Sequence, residues 1–108
     1  MKPEVVFTKA APKTGFSEGT ESPIAQGVKC GDFVFVSGQG PLDPVTRQVV
    51  SDDLAEQTRV TLDNVTRVLE AAGKGVQPAR TTVEAAAPRK GVNVEIDAIA
   101  VIPHGSAR

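Results

Sequence analysis

Apolar residues come first in short, strand-length runs and then at helical spacing. Residues 4–8, EVVFT, predict a short strand, and residues 9–22, rich in Ala, Pro, Gly, Ser, Thr and Glu, predict a loop. Residues 24–29 and 33–37 read as two more strands joined at Cys30-Gly31-Asp32, a hairpin signal. The run Phe33-Val34-Phe35-Val36 is the most apolar in the chain and predicts a central strand, stopped by Gly38-Gln39-Gly40-Pro41. Asp43-Pro44 favours a turn, and Gln48-Val49-Val50 a short strand after it.

The pattern then changes period. Leu54, Thr58, Thr61, Leu62, Val65, Val68, Leu69 and Ala72 recur every three or four positions and predict a one-sided helix over residues 53–72. Asp53 with Glu56 three residues on has the form of a capping box, and Gly73 stands where a helix C-cap glycine belongs. Arg59, Asp63 and Arg67 lie on another face at four-residue spacing. Beyond a linker at Lys74-Gly75-Val76-Gln77-Pro78, residues 80–87 and 92–101 read as two strands about a turn at Pro88-Arg89-Lys90-Gly91. The order ββ(β)αββ indicates an α+β layer fold. At 108 residues, without repeats or a composition break, residues 1–108 are expected to form one domain, with residues 1–22 an N-terminal strand and loop and 102–108 a flexible tail.

Composition narrows the chemistry. The chain has one His, one Cys and no Tyr or Trp. A structural zinc site needs about four Cys or His ligands, so none is expected. The lone Cys30 cannot form a disulfide within the chain, which fits a reducing compartment, and it reads as an inert thiol. His104 falls in the tail, where a nucleophile–histidine pair would be poorly anchored. A net charge of -1 with interspersed signs lacks the basic footprint of a nucleic-acid binder. No stretch approaches a membrane span or a signal-peptide core, so the expected location is the cytoplasm.

Strand alternation proposes a register for the last hairpin. If Val83, Ala85 and Ala87 share the core face with Val92, Val94, Ile96, Ala98 and Ala100, then Arg80, Thr82, Glu84, Glu95 and Asp97 share the other. Arg80 and Glu95 would then sit about 7–13 Å apart along the strands, where two long side chains could converge on a small anion. A solvated face with cross-strand ion pairs is the competing reading. The backbone amides of Ser37-Gly38-Gln39-Gly40, at a strand end, could receive a carboxylate, though the residues by themselves favour a plain turn.

FVFVSGQGPLDP (33–44), EQTRVTLDNVTRVLEAAG (56–73), PARTTVEAAAP (78–88) and VEIDAIAV (94–101), in this order, resemble the Rid family, the reactive intermediate deaminases of the YjgF type. The resemblance implies a chorismate-mutase-like α+β fold, with helix 53–72 on one face of a mixed sheet, assembled as a homotrimer with sites between subunits. It implies cofactor-free hydrolysis of enamines and imines such as 2-aminoacrylate to 2-keto acids and ammonia. By position, Arg80 matches the family's carboxylate-binding arginine and Glu95 the acid that holds or activates the attacking water. Ser37 matches a serine lining the pocket, with Gly38 beside it, and the Thr82 carbonyl stands where members often have a Cys backbone. Ile24 replaces a frequent Tyr, which implies a bulkier or more apolar substrate. The family normally has a strand and a second helix between positions 73 and 78, which here are joined by four residues. Either this is a minimised variant with another assembly, or the numbering closes over residues that belong there. A non-catalytic, trimeric small-carboxylate binding or chaperone-like module is the alternative function. Ribonuclease activity comes third.

Overall fold

Period-two alternation builds the sheet and period-3.6 spacing the helix that covers it. A computed structural model describes residues 2–12, 24–73 and 91–103 and, as backbone, 77–84. Its elements are β1 (Glu4–Val6), β2 (Gly27–Cys30), β3 (Phe33–Gln39), α1 (Leu54–Ala72), β4 (Gln77–Glu84) and β5 (Val94–Val101). The expected turn at Pro88-Arg89-Lys90, the apolar positions Ala85 and Ala87, and His104 lie outside the described residues.

The strands form one sheet in the order β1-β2-β3-β5-β4. It differs from the expected mixed sheet, because all four pairings are antiparallel. The reason is topological. β3 and β4, joined through α1, run parallel to each other, but β5 returns and inserts between them, a split βαβ arrangement. β3 is the middle strand, as its apolar run suggests. Of that run, however, Val34 and Val36 are buried and Phe33 and Phe35 are exposed. Residues 48–50 form no strand, and the only trace of one is an isolated bridge from Leu42 to Val49.

The core lies between the sheet and α1. Val6 of β1, Val34 and Val36 of β3, and Val94, Ile96, Ala98 and Ala100 of β5 meet Val65, Val68 and Leu69 of α1. Leu62 and Ala72 pack at its margin. Ile102, expected in the tail, is instead buried in this cluster, and its N–H donates to the Asp32 carbonyl at 2.8 Å. The helix begins as the capping signal predicts, with the Asp53 carboxylate accepting from the Glu56 N–H at 3.1 Å. At its other end the Gly73 N–H reaches the Leu69 carbonyl, but Gly73 has φ 167 and ψ 170, extended backbone open to any residue.

Besides Thr61, two polar residues that the periodicity left out, Gln57 and Asn64, belong to the buried stripe, while Leu54 is 42% exposed and outside it. Gln57 donates from Nε2 to the carbonyls of Ser51 and Gly91 at 2.7 and 2.8 Å and accepts from the Asn93 N–H at 2.9 Å. Asn64 donates from Nδ2 to the carbonyls of Gly40 and Leu42, both at 3.0 Å. Each fixes a loop against α1 by satisfying carbonyls that no ladder serves.

Candidate functional site

The outward row of β5 carries the acids. Glu95 and Asp97 alternate with the buried Val94, Ile96 and Ala98, and Glu95 is half-buried whereas Asp97 is exposed. What covers Glu95 comes from β3. The pairing Val36 with Ala98 is followed by Gln39 with Ile96, so Ser37 and Gly38 together oppose the single residue Asp97. This is a β-bulge, a device that re-aims side chains and often borders active sites.

The bulge is held on both sides. The Ser37 N–H donates to the Gln26 carbonyl at 2.9 Å, and its hydroxyl donates to the Ala25 carbonyl at 2.6 Å. The buried Gln39 returns its Nε2 to the Ser37 carbonyl at 3.2 Å. Ile24, 56% exposed, immediately precedes this anchored segment in the chain. Over Gly38 lies the Glu95 side chain. A Cβ built on Gly38 would collide with Oε1 of Glu95 and stand 2.9 Å from Cδ and 3.1 Å from Cγ. Glu95 and Gly38 are therefore in contact, with Ser37 next to Gly38 in the bulge. Chemically this offers a half-buried carboxylate beside irregular backbone, suited to holding a water or accepting its proton.

Arg80 does not join them in this register. β4 pairs Arg80 with Ala98, Thr82 with Ile96 and Glu84 with Val94, which are positions in the core-facing row of β5. Glu95 pairs instead with Val83, and Asp97 with Thr81. The expected common face of Arg80, Thr82, Glu84, Glu95 and Asp97 is thus divided. Along the strand Arg80 is three residues from Glu95 through its partner Ala98, about 10 Å, inside the expected span but in the other row. The physical reason is that a one-residue change in pairing exchanges the faces, and Val83 and two consecutive threonines do little to resist it.

Sequence reasoning missed the bulge and its supports at Gln26 and Gln39. A signal was present, since a glycine inside a strand often marks a bulge. Among the described residues, no group of three or more His, Cys, Asp or Glu is placed to hold a metal ion, and no helix is long and apolar enough to cross a membrane.

A family model described as endoribonuclease L-PSP matches residues 17–77, ending at the first residue of β4. A RutC family protein of Pyrococcus horikoshii is 34% identical over 127 residues, covering 90% of this chain and 96% of its own. That span exceeds the 108 residues here, so the relative has residues with no counterpart in this chain. A 2-iminobutanoate/2-iminopropanoate deaminase of Escherichia coli is 35% identical over 112 residues, covering 73% of this chain and 87% of its own. Among solved structures, Escherichia coli TdcF with bound serine superimposes with a TM-score of 0.76 at 27% identity, over 93% of this chain and 99% of that one.

Proposed function

The chain belongs to the endoribonuclease L-PSP family, and from that membership together with the contact of Glu95 on Gly38 we propose that it hydrolyses reactive enamines and imines of the 2-aminoacrylate type to 2-keto acids and ammonia. The single observation that carries the reading is the half-buried Glu95 carboxylate seated at the β3 bulge, in a chain 35% identical to an imine deaminase. Protonation of the enamine carbon gives the iminium ion. Glu95 takes a proton from a water as the water oxygen bonds to the iminium carbon and the C=N π pair moves to nitrogen, which gives the neutral carbinolamine. The protonated Glu95 returns that proton to the nitrogen, and as the C–N bond breaks with its pair on the departing ammonia the hydroxyl proton passes to solvent, leaving the ketone. An imine is already electrophilic, so these steps call on no thiol, imidazole or metal. By the family resemblance, and against the β4–β5 register found here, Arg80 is assigned the substrate carboxylate, which its planar fork suits, and Ser37, Gly38, Ile24 and the Thr82 carbonyl the pocket lining.

Assembly belongs to the same reading. The sheet face away from α1 exposes Val5, Phe33, Phe35, Ile99 and Val101, a contiguous apolar surface of the kind that marks an interface. We take the assembled form to be a homotrimer with its sites between subunits, in the cytoplasm.

Freshly generated 2-aminoacrylate supplies the test. Glu95→Gln is expected to slow accelerated keto-acid release about 100-fold, the size of a general-base contribution. Arg80→Ala is expected to abolish the acceleration with the oligomer intact. Unchanged rates in both variants would discard the assignment. One observation favours a second reading, a non-catalytic module that binds small carboxylates, because the register separates Arg80 from Glu95. It requires no turnover by the parent, together with keto-acid binding by calorimetry that Arg80→Ala removes and Glu95→Gln leaves intact.

A further inference from the structure

We infer that Gly38 is a positioning residue for Glu95: the volume a side chain would take at Gly38 is the seat of the Glu95 carboxylate. Its catalytic consequence rests on the deaminase reading, whereas the packing stands without it. Three observations carry the inference. The bulge sets Ser37 and Gly38 against the one residue Asp97, so Gly38 leaves the regular pleat and its missing side chain opens toward β5. The backbone on both sides is tied down, by Ser37 to Ala25 and Gln26, by Gln39 to Ser37, and by Asn64 to the carbonyls of Gly40 and Leu42. The atoms that a Cβ on Gly38 would meet, Oε1, Cδ and Cγ, all belong to the outer part of the Glu95 side chain, with Oε1 closest.

The last point determines what a methyl group there would do. The strand cannot readily yield, because its flanks are pinned. A long side chain can rotate, and misplacing it costs little folding energy but much catalysis, since an error of about 1 Å in a reacting group can cost 100-fold. Gly38→Ala is therefore expected to fold and melt like the parent while its carboxylate is displaced. The substitution should lower kcat at least tenfold and move KM far less than kcat, because the carboxylate-anchoring arginine is untouched.

The test is a double-mutant cycle. Glu95→Ala removes Cγ, Cδ and the carboxylate oxygens, every atom that a Cβ on Gly38 would meet. Activity falls, but the seat is emptied, and adding Gly38→Ala to Glu95→Ala should cause no further loss. Multiplicative losses in the pair, or parental kcat in Gly38→Ala, overturn the inference. A second readout is independent of turnover: the NMR signal of the Glu95 side-chain carboxyl carbon, assigned through Glu95→Gln, should shift in Gly38→Ala while most backbone amides stay in place. An unmoved carboxyl signal overturns the inference as well. If the parent releases no keto acid faster than the spontaneous reaction, the deaminase reading fails by itself, and the carboxyl signal then decides the positioning.

Discussion

Asp43 uses its carboxylate to close a turn. Its Oδ1 accepts from the Val45 and Thr46 N–H groups at 2.8 and 2.9 Å. The backbone hydrogen bond from Thr46, then that from Val45, with Arg67 adding to them, holds its pKa below the ordinary 3.8. A carboxylate depressed in the folded state contributes stability above its unfolded value, and that stability fades as pH falls through the folded one. Asp43→Asn keeps an acceptor but loses the charge, so the parent should melt higher above pH about 5, and the gap should narrow as pH falls below the ordinary 3.8 and through the lower folded-state value. Thermal melts across that range provide the check, and a gap independent of pH would mean that the charge is irrelevant. This turn was legible because Asp before Pro bonds to its own local backbone, which needs no other part of the chain. Gln57 and Asn64 were not legible. A glutamine or asparagine within an apolar stripe looks like a break in it until the carbonyls it serves have been brought near from other elements.

Among the elements, α1 was read almost to the residue, because period, cap and length are all local properties. How closely it approaches the sheet is a different matter and rests on Gly27. A Cβ at Gly27 would lie 3.1 Å from Cγ1 of Val68 and 3.2 Å from the Phe35 carbonyl oxygen, tighter than ordinary contact. Neither neighbour moves freely, because Val68 is fully buried and Phe35 is held in the central strand. Gly27→Ala should thus cost roughly 1–3 kcal/mol in urea unfolding, the usual range for overpacking a filled core. A loss below ~0.5 kcal/mol would mean that helix and sheet can part at no expense. The pairing of β4 with β5 lay beyond sequence reasoning for the opposite reason. Thr81, Thr82 and Val83 fit either row, so alternation alone does not distinguish the two registers.

At the scale of the whole molecule, the sheet has one face under α1 and one that no helix covers among the described residues. Val5, Phe33, Phe35, Ile99 and Val101 are each about half exposed or more on the open side. Phe33 and Phe35 stack there with ring centroids 6.5 Å apart. Placing a charge in the middle of this surface should break self-association, because the charge would have to be buried unpaired between copies. Light scattering should give Phe35→Asp a mass near the 11.3 kDa of one chain and the parent a multiple of it. A parent that is monomeric at high concentration would remove the trimer from the proposal. By itself the sequence determined the α+β class, the helix with its first turn, the hairpin at Gly31 and the scarcity of imidazole and thiol groups. These follow from composition and from order along the chain, where the interacting residues are near neighbours. Only the tertiary structure decided which row Arg80 joins, that Ser37 and Gly38 bulge, and that Glu95 rests where Gly38 has no side chain. Those features are pairings between residues distant in sequence. A period of two allows two registers for every strand, and the choice falls to the packing of the remaining chain.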